Sequence, residues 1–349
     1  MFSNDEELIN DFHVKSGHKY SSIQSYKTVF NKYRDFHSMS LCELLNEAFL
    51  EQEKNTPENK LMIYDRIISF RNHLIENHVG NTITNAISKI KTFYHYNRVY
   101  LPFIPPLNKK IVRKNTCISF DDLLTKDELR DILAIACDDL KMWVLVMISS
   151  GSTRTEAKSM TNETFFRGTW DYHKKDNFED ALKYLSRKNN VVCTCKLVRQ
   201  KTDKPYYTFL NPECVQSIAK IKLKRNDFSL NDTLLRYELN HVNYKCKRIN
   251  DLLGLGEVGG YSRFRPHMLR KFNSTYLNQG SIASGLNRND VDRLHGRGKN
   301  QTRESYFKDN PAFLKFEYVK AMNNISLYHE YDWRMVNGKM KISAKKLVD

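Results

Sequence analysis

Apolar positions in the first third of the chain recur with helical spacing. Between positions 21 and 39, Ile23, Tyr26, Val29, Phe30, Tyr33 and Phe36 fall on one helical face. Ile63, Ile67, Phe70 and Leu74 repeat the pattern, and so do Ile83, Ile87, Ile90 and Tyr94. A further helix is expected over 40–52. These stretches predict a bundle of about four helices with no strand among them.

The pattern then breaks at LPFIPPLNKKIVRKN, residues 101–115. Its prolines and basic run cannot continue a helix and read as a semi-rigid connector. The expected division is a helical domain over 1–104, a linker over 105–117, a second domain over 118–328 and a tail over 329–349 without a strong pattern. In the second domain, Thr125 and Glu128 form an N-cap pair for a helix over 125–138. An apolar helix over 140–150 ends at Gly151, and a short helix over 155–160 follows. Further helices are expected over 212–224, 237–253, 266–278, 290–295, 301–307 and 311–323. Residues 191–198 and 206–210 alternate as strands around RQKTDKP, a hairpin with a basic tip. The stretch 162–190 is polar and aromatic without a clear period. With only 13 glycines, the chain reads as mainly α with a small β-hairpin, an α+β fold.

Composition narrows the partner. The formal net charge is +16 over 349 residues and the isoelectric point is about 9.4. So basic a chain has a polyanion, most simply nucleic acid, as its default partner, against the plain alternative of a lysine-rich surface. The acidic start MFSNDEELINDF has neither the basic nor the apolar part of a signal peptide, and no apolar run is long enough for a membrane span, so a cytoplasmic protein is expected. The seven cysteines are scattered without CxxC pairs. Cys193 and Cys195 alternate on one strand face, which favours reduced thiols over a metal site.

Four stretches set cations beside reactive groups: SGSTRTEAKSM with Arg154, VRQKTDKPYYTFL with Lys201, RPHMLRKF with His267 and Arg270, and LHGRGKNQTRESYF with Arg297, Lys299, Arg303 and Tyr306. Arginine forks two phosphate oxygens and stays charged. Lysine and histidine move protons at entering and leaving oxygens. Tyrosine is a covalent nucleophile whose phenolate is favoured by nearby cations. His267 and Arg270 share a helical face just after Pro266, where the helix start itself favours phosphate. No acidic metal-binding cluster accompanies the set, and no cofactor is expected. Taken singly each residue has a plainer reading: Arg154 a surface charge, Lys201 a turn residue, His267 a cap, Arg297 a solvated cation and Tyr306 core filler.

In order, these motifs resemble the tyrosine recombinase (phage integrase) family. SGSTRTEAKSM, then RQKT, PHMLR, LHGR and ESYF match over residues 21–323, with the helical bundle in the place of the family's core-binding domain. The form HGR resembles integrases of archaeal viruses and plasmids, on mobile genetic elements. The resemblance implies that Arg154 and Arg270 clamp a scissile DNA phosphate. It makes Lys201 the general acid, His267 an acid/base, and Tyr306 the nucleophile of a 3′-phosphotyrosyl intermediate. Glu156 falls where an acidic residue supports the site. Nine positions before Tyr306 the family often has His or Trp. Here Arg297 stands there, and His295 is the other candidate. Lys188, Lys196 and Lys204 compete with Lys201.

The implied function is a site-specific recombinase or integrase acting on double-stranded DNA as a homotetramer. The alternatives are relaxation of the type IB topoisomerase kind and a catalytically silent DNA-binding protein. Phe313, Phe316, Val319 and Met322 recur on the last helix, which either docks on a neighbouring subunit or packs on its own domain.

Overall fold

Asp5 shows how the first helices are joined. Its carboxylate accepts the N–H groups of Leu41 (3.1 Å) and Cys42 (2.9 Å) and pairs with Arg34 at 2.9 Å. It thus caps the start of the helix Leu41–Glu53 from the first turn of the helix Asp5–Ser16. The computed structural model describes residues 4–78, 80–108, 118–279, 285–297 and 310–347, in two units, Met1–Cys117 and Ile118–Asp349.

The first unit contains α1 (Asp5–Ser16), α2 (Tyr20–His37), α3 (Leu41–Glu53), α4 (Met62–Asn77) and α5 (Gly80–Tyr96). The apolar faces read from the sequence are its core: Phe30, Tyr33, Ile67, Phe70 and Ile90 are fully buried. The helix α1 adds to the expected set. Asn4 caps it by accepting the Glu7 N–H, and Leu8 and Phe12 enter the same core. The proline-rich stretch does not leave this unit at once. Ile104 is buried, Leu101 and Leu107 pack against the helical core, and Arg71 bonds to the Pro105 carbonyl.

The second unit is built on α7 (Asp138–Ser150), which is buried on all sides from Met142 to Ser150 and includes Trp143. Before it comes α6 (Lys126–Ile135), with the expected Thr125–Glu128 capping box. After it come the turn at Gly151 and the short α8 (Arg154–Lys158). The stretch without a period forms α9 (Asn162–Gly168), α10 (Trp170–His173) and α11 (Phe178–Leu185). They are too short to show a period, and polar caps at Thr161 and Asn177 start the first and last of them. The hairpin joins β1 (Cys193–Arg199) to β2 (Lys204–Leu210), antiparallel, from Cys193 opposite Leu210 to Arg199 opposite Lys204. Cys193 and Cys195 are buried on one face with their sulfurs 3.8 Å apart.

Four helices and a small ribbon follow: α12 (Pro212–Lys224), α13 (Leu239–Leu252), β3 (Glu257–Val258) with β4 (Tyr261–Ser262), α14 (Pro266–Gln279) and α15 (Arg288–Leu294). The helix expected over 301–307 lies outside the described residues. The last helix, α16 (Pro311–Ala321), sets Val319 in the core of its own unit, with Met322 just past its end; Phe313 is 50% exposed.

The tail departs from its patternless reading. Strands β5 (His329–Val336) and β6 (Lys339–Lys346) form an antiparallel hairpin. Asn337 and Gly338 both have positive φ, 50° and 71°, as a two-residue hairpin turn requires. The hairpin packs on its own unit. Tyr331 and Ile342 are buried in the core, and Trp333 meets Phe316 at 5.0 Å. The Glu213 carboxylate accepts the N–H groups of Leu327, Tyr328 and His329 at 2.7–2.9 Å. Among the described residues, no helix is long and apolar enough to cross a membrane.

Candidate active site

The C-terminal end of α7 organises the site. Gly151 ends that helix at φ +61°, and a β-carbon there would lie 2.1 Å from Nε2 of His295. Only glycine lets the turn approach the imidazole so closely. Thr153 then caps α8 by accepting from Glu156 N–H, and its own N–H donates to Oε2 of Glu156 at 2.8 Å. That capping box carries a carboxylate that is 1% exposed.

A buried carboxylate needs partners, and Glu156 has several. Tyr206, from the inward face of β2, donates its hydroxyl to Oε2 at 3.0 Å. Arg270, on α14, has Nη1 3.8 Å from Oε2, and Arg199, at the end of β1, has Nη1 3.8 Å from Oε1. The same two arginines meet at the carbonyl oxygen of His295, which accepts from Arg199 at 2.7 Å and from Arg270 at 3.3 Å. Arg270 also donates to the Gly151 carbonyl. Two guanidinium groups therefore surround one carboxylate. Burial, then the neighbouring cation Arg297, lowers the Arg270 pKa to about 10.

The His295 ring is fully buried. Asn273 donates through Nδ2 to the carbonyls of Ile148 (2.8 Å) and Ser149 (3.1 Å), which leaves Oδ1 to face His295 Nε2 at 2.7 Å. Nε2 therefore carries the proton, while Nδ1 is buried without a partner among the described residues. Burial, followed by Arg270, Arg297 and Arg199, holds the imidazole pKa well below its usual value. This neutral ring braces the turn at Gly151, and its polar edge is committed to Asn273. Gly296, at φ +61°, lies flat on the Tyr206 ring, where a β-carbon would be 2.6 Å away.

Of the residues singled out in the sequence, Arg270, Arg297 and His267 come together here. His267 is exposed beside this buried set. The protein packed around one side of the ring keeps water from part of it, and that desolvation, then Lys271, Arg265, Arg270 and Arg297, lowers its pKa. The Arg297 side chain is 45% exposed and pairs with Asp292 at 3.4 Å. Lys201 is exposed at the tip of the β1–β2 hairpin, two positions past Arg199. Lys196 and Lys204 are also exposed on that hairpin, whereas Lys188 sits over the Tyr184 ring at 5.2 Å. Arg154 begins α8 but turns its guanidinium to the Leu239 carbonyl at 3.2 Å, at the start of α13. Tyr306, Lys299 and Arg303 lie outside the described residues.

Arg199, Tyr206 and Asn273 were not singled out in the sequence. One signal for Arg199 was present. Cys193, Cys195, Leu197 and Arg199 share the inward face of β1, and a cation that continues a buried strand face has a buried task.

No protein-family model and no curated protein matches the chain. Solved structures do. The XerH site-specific recombinase bound to its difH substrate, in a pre-cleavage complex, aligns with TM-score 0.52 and 14% identity over 90% of this chain and 83% of that one. The same recombinase on a palindromic difH substrate, in a post-cleavage complex, gives 0.53 and 16% over 90% and 84%. A lambda integrase tetramer on a Holliday junction is a looser likeness, with TM-score 0.42 and 13% identity. The chain has the fold of the tyrosine recombinases.

Proposed function

We propose that this protein is a site-specific DNA recombinase that breaks and rejoins strands through a 3′-phosphotyrosyl link at Tyr306. The observation that carries the reading is the excess of buried positive charge at the end of α7. Arg199 and Arg270 face the single carboxylate of Glu156, with Arg297 and His267 beside them. Two largely buried guanidinium groups that face a single carboxylate are stabilised by an anion, and a phosphodiester fits their forked geometry.

In the proposed step, the phenolic oxygen of Tyr306 attacks the scissile phosphorus and the bond to the 5′-oxygen breaks. The phenol gives up its proton to His267 as base, and Lys201, on the exposed hairpin tip, protonates the departing 5′-oxygen. Arg270 holds the nonbridging oxygens as charge builds on them, and Arg297 donates to the same phosphate from the loop after α15. Attack of a 5′-hydroxyl on the phosphotyrosine reverses the step, so the bond energy is conserved. The net charge of +16 serves the flanking duplex and makes affinity fall with salt. Exchange between two duplexes is assigned to a homotetramer on paired sites. The XerH site-specific recombinase, of the same fold, was solved on difH substrates in a pre-cleavage and a post-cleavage complex.

The test is covalent capture on nicked duplexes drawn from the DNA flanking the gene. Wild type is expected to give a protein band shifted by attached DNA on a denaturing gel, and Tyr306→Phe none. Tight binding without any wild-type adduct on these duplexes would favour a silent DNA-binding protein.

A further inference from the structure

We infer that Arg199, at the end of β1, is the second guanidinium that grips the scissile phosphate beside Arg270. This rests on the phosphotyrosyl reading above and identifies a residue within that site.

Four observations carry it. Arg199 extends the buried face Cys193–Cys195–Leu197, so the strand aims it inward although its neighbours on that face are apolar. Its contacts mirror those of Arg270. Each arginine is 3.8 Å from one oxygen of Glu156, and each donates to the His295 carbonyl. The Glu156 contacts are longer than hydrogen bonds, so the carboxylate balances the pair electrostatically without using up their donors. A guanidinium has five N–H donors. Among the described residues Arg199 spends one on a hydrogen bond, at His295, which leaves most of its fork for an incoming anion.

The remaining observation concerns Arg154. Its guanidinium is tied to the Leu239 carbonyl, and its charge acts on Cys246 of α13. The main charges acting on Arg270 come from Arg297, Glu156, Arg199 and Tyr206. The two guanidinium groups that flank a common point, Arg270 buried and Arg199 largely so, are therefore on α14 and β1. A phosphate there would face both forks at once and offset the surplus charge that Glu156 leaves. Lys201 follows Arg199 by two positions on the same hairpin. Seating Arg199 on the phosphate would thus also place the proposed general acid near the leaving oxygen.

The test measures single-turnover adduct formation on a nicked duplex with either an ordinary scissile phosphodiester or a methylphosphonate, which carries no charge at that linkage. A phosphate-binding arginine matters when the linkage is charged and matters little when it is neutral. Arg199→Ala is expected to be about 100-fold slower than wild type on the phosphodiester and within about fivefold on the methylphosphonate. Arg199→Lys, which keeps the charge without the fork, should lie between them and serves as the probe if the alanine variant does not fold. Arg154→Ala is expected to lose at least tenfold less than Arg199→Ala on the phosphodiester. Equal losses for the Arg199 variants on both linkages would assign the residue a purely structural task and overturn the inference. So would wild-type rates in Arg199→Ala. If the wild type itself forms no adduct on either linkage, the phosphotyrosyl reading falls and takes the inference with it.

Discussion

Tyr206 donates its phenolic hydrogen to Oε2 of Glu156 at 3.0 Å, and the N–H of Thr153 meets the same oxygen at 2.8 Å. A strand residue and a helix cap thus hold one buried carboxylate between the two arginines.

Tyr206→Phe removes only the hydroxyl. It leaves a buried carboxylate oxygen with one hydrogen bond fewer and should lower stability by about 1–3 kcal/mol. Urea unfolding of wild type and variant measures the loss. An unchanged midpoint would mean that water or a cation readily replaces the hydroxyl.

Gly151 and Gly254 make a matched pair, since both have φ +61°. A β-carbon at Gly254 meets nothing within 4 Å, whereas at Gly151 it meets His295 and Asn273. Gly254→Ala should cost only the backbone strain, about 1–2 kcal/mol. Gly151→Ala should cost clearly more and should also depress adduct formation. Equal shifts in melting temperature for the two variants would show that the His295 ring moves aside at no cost.

His295 gives a pH dependence with a definite sign. Its folded pKa is well below the usual value near 6.5, so below that pH the unfolded chain binds a proton that the folded one does not. Stability is therefore lost as pH falls through about 6.5, by at most about 1.4 kcal/mol per pH unit for one proton. His173 and His267, also lowered, add to the same slope. The urea midpoint should fall between pH 7.5 and pH 5.5, and His295→Gln, less stable overall, should show a shallower fall. A variant slope as steep as wild type would remove His295 as a source.

Glu213 ties the C-terminal hairpin to α12 through three backbone N–H groups. Glu213→Gln should weaken this anchorage by about 1.5–3 kcal/mol, because bonds to a charged acceptor are the stronger kind. Hydrogen exchange should quicken across β5 and β6 while α7 stays protected. Uniform quickening across the unit would instead make Glu213 part of the global core.

The sequence was most legible where a period ran long enough to be seen. The faces through Tyr33, Ile67 and Ile90 predicted α2, α4 and α5, and the alternation through Cys193 and Cys195 predicted β1. It was least legible where structure depends on a few residues. Helices α9 to α11 rest on caps such as Thr161 and Asn177 rather than on a period. The β5–β6 hairpin was announced only by the dipeptide Asn337-Gly338, which a search for periodicity passes over. In the site, His267, Arg270 and Arg297 could be picked out because each sits in a short motif. Arg199 and Asn273 could not, because their partners Glu156, His295 and Ser149 lie 22 to 124 positions away. The direction taken by Arg154 likewise depends on the Leu239 carbonyl, 85 positions distant.

The division into two units has a spectroscopic consequence. The chain's three tryptophans, Trp143, Trp170 and Trp333, all fall after position 117, one of them in α7 and one in the C-terminal hairpin. Intrinsic tryptophan emission therefore watches only the unit that holds Arg199 and Arg270. The helical unit, rich in tyrosine and phenylalanine, can unfold unseen at that wavelength, so a melt followed by emission and one followed by circular dichroism would separate the two units without any label.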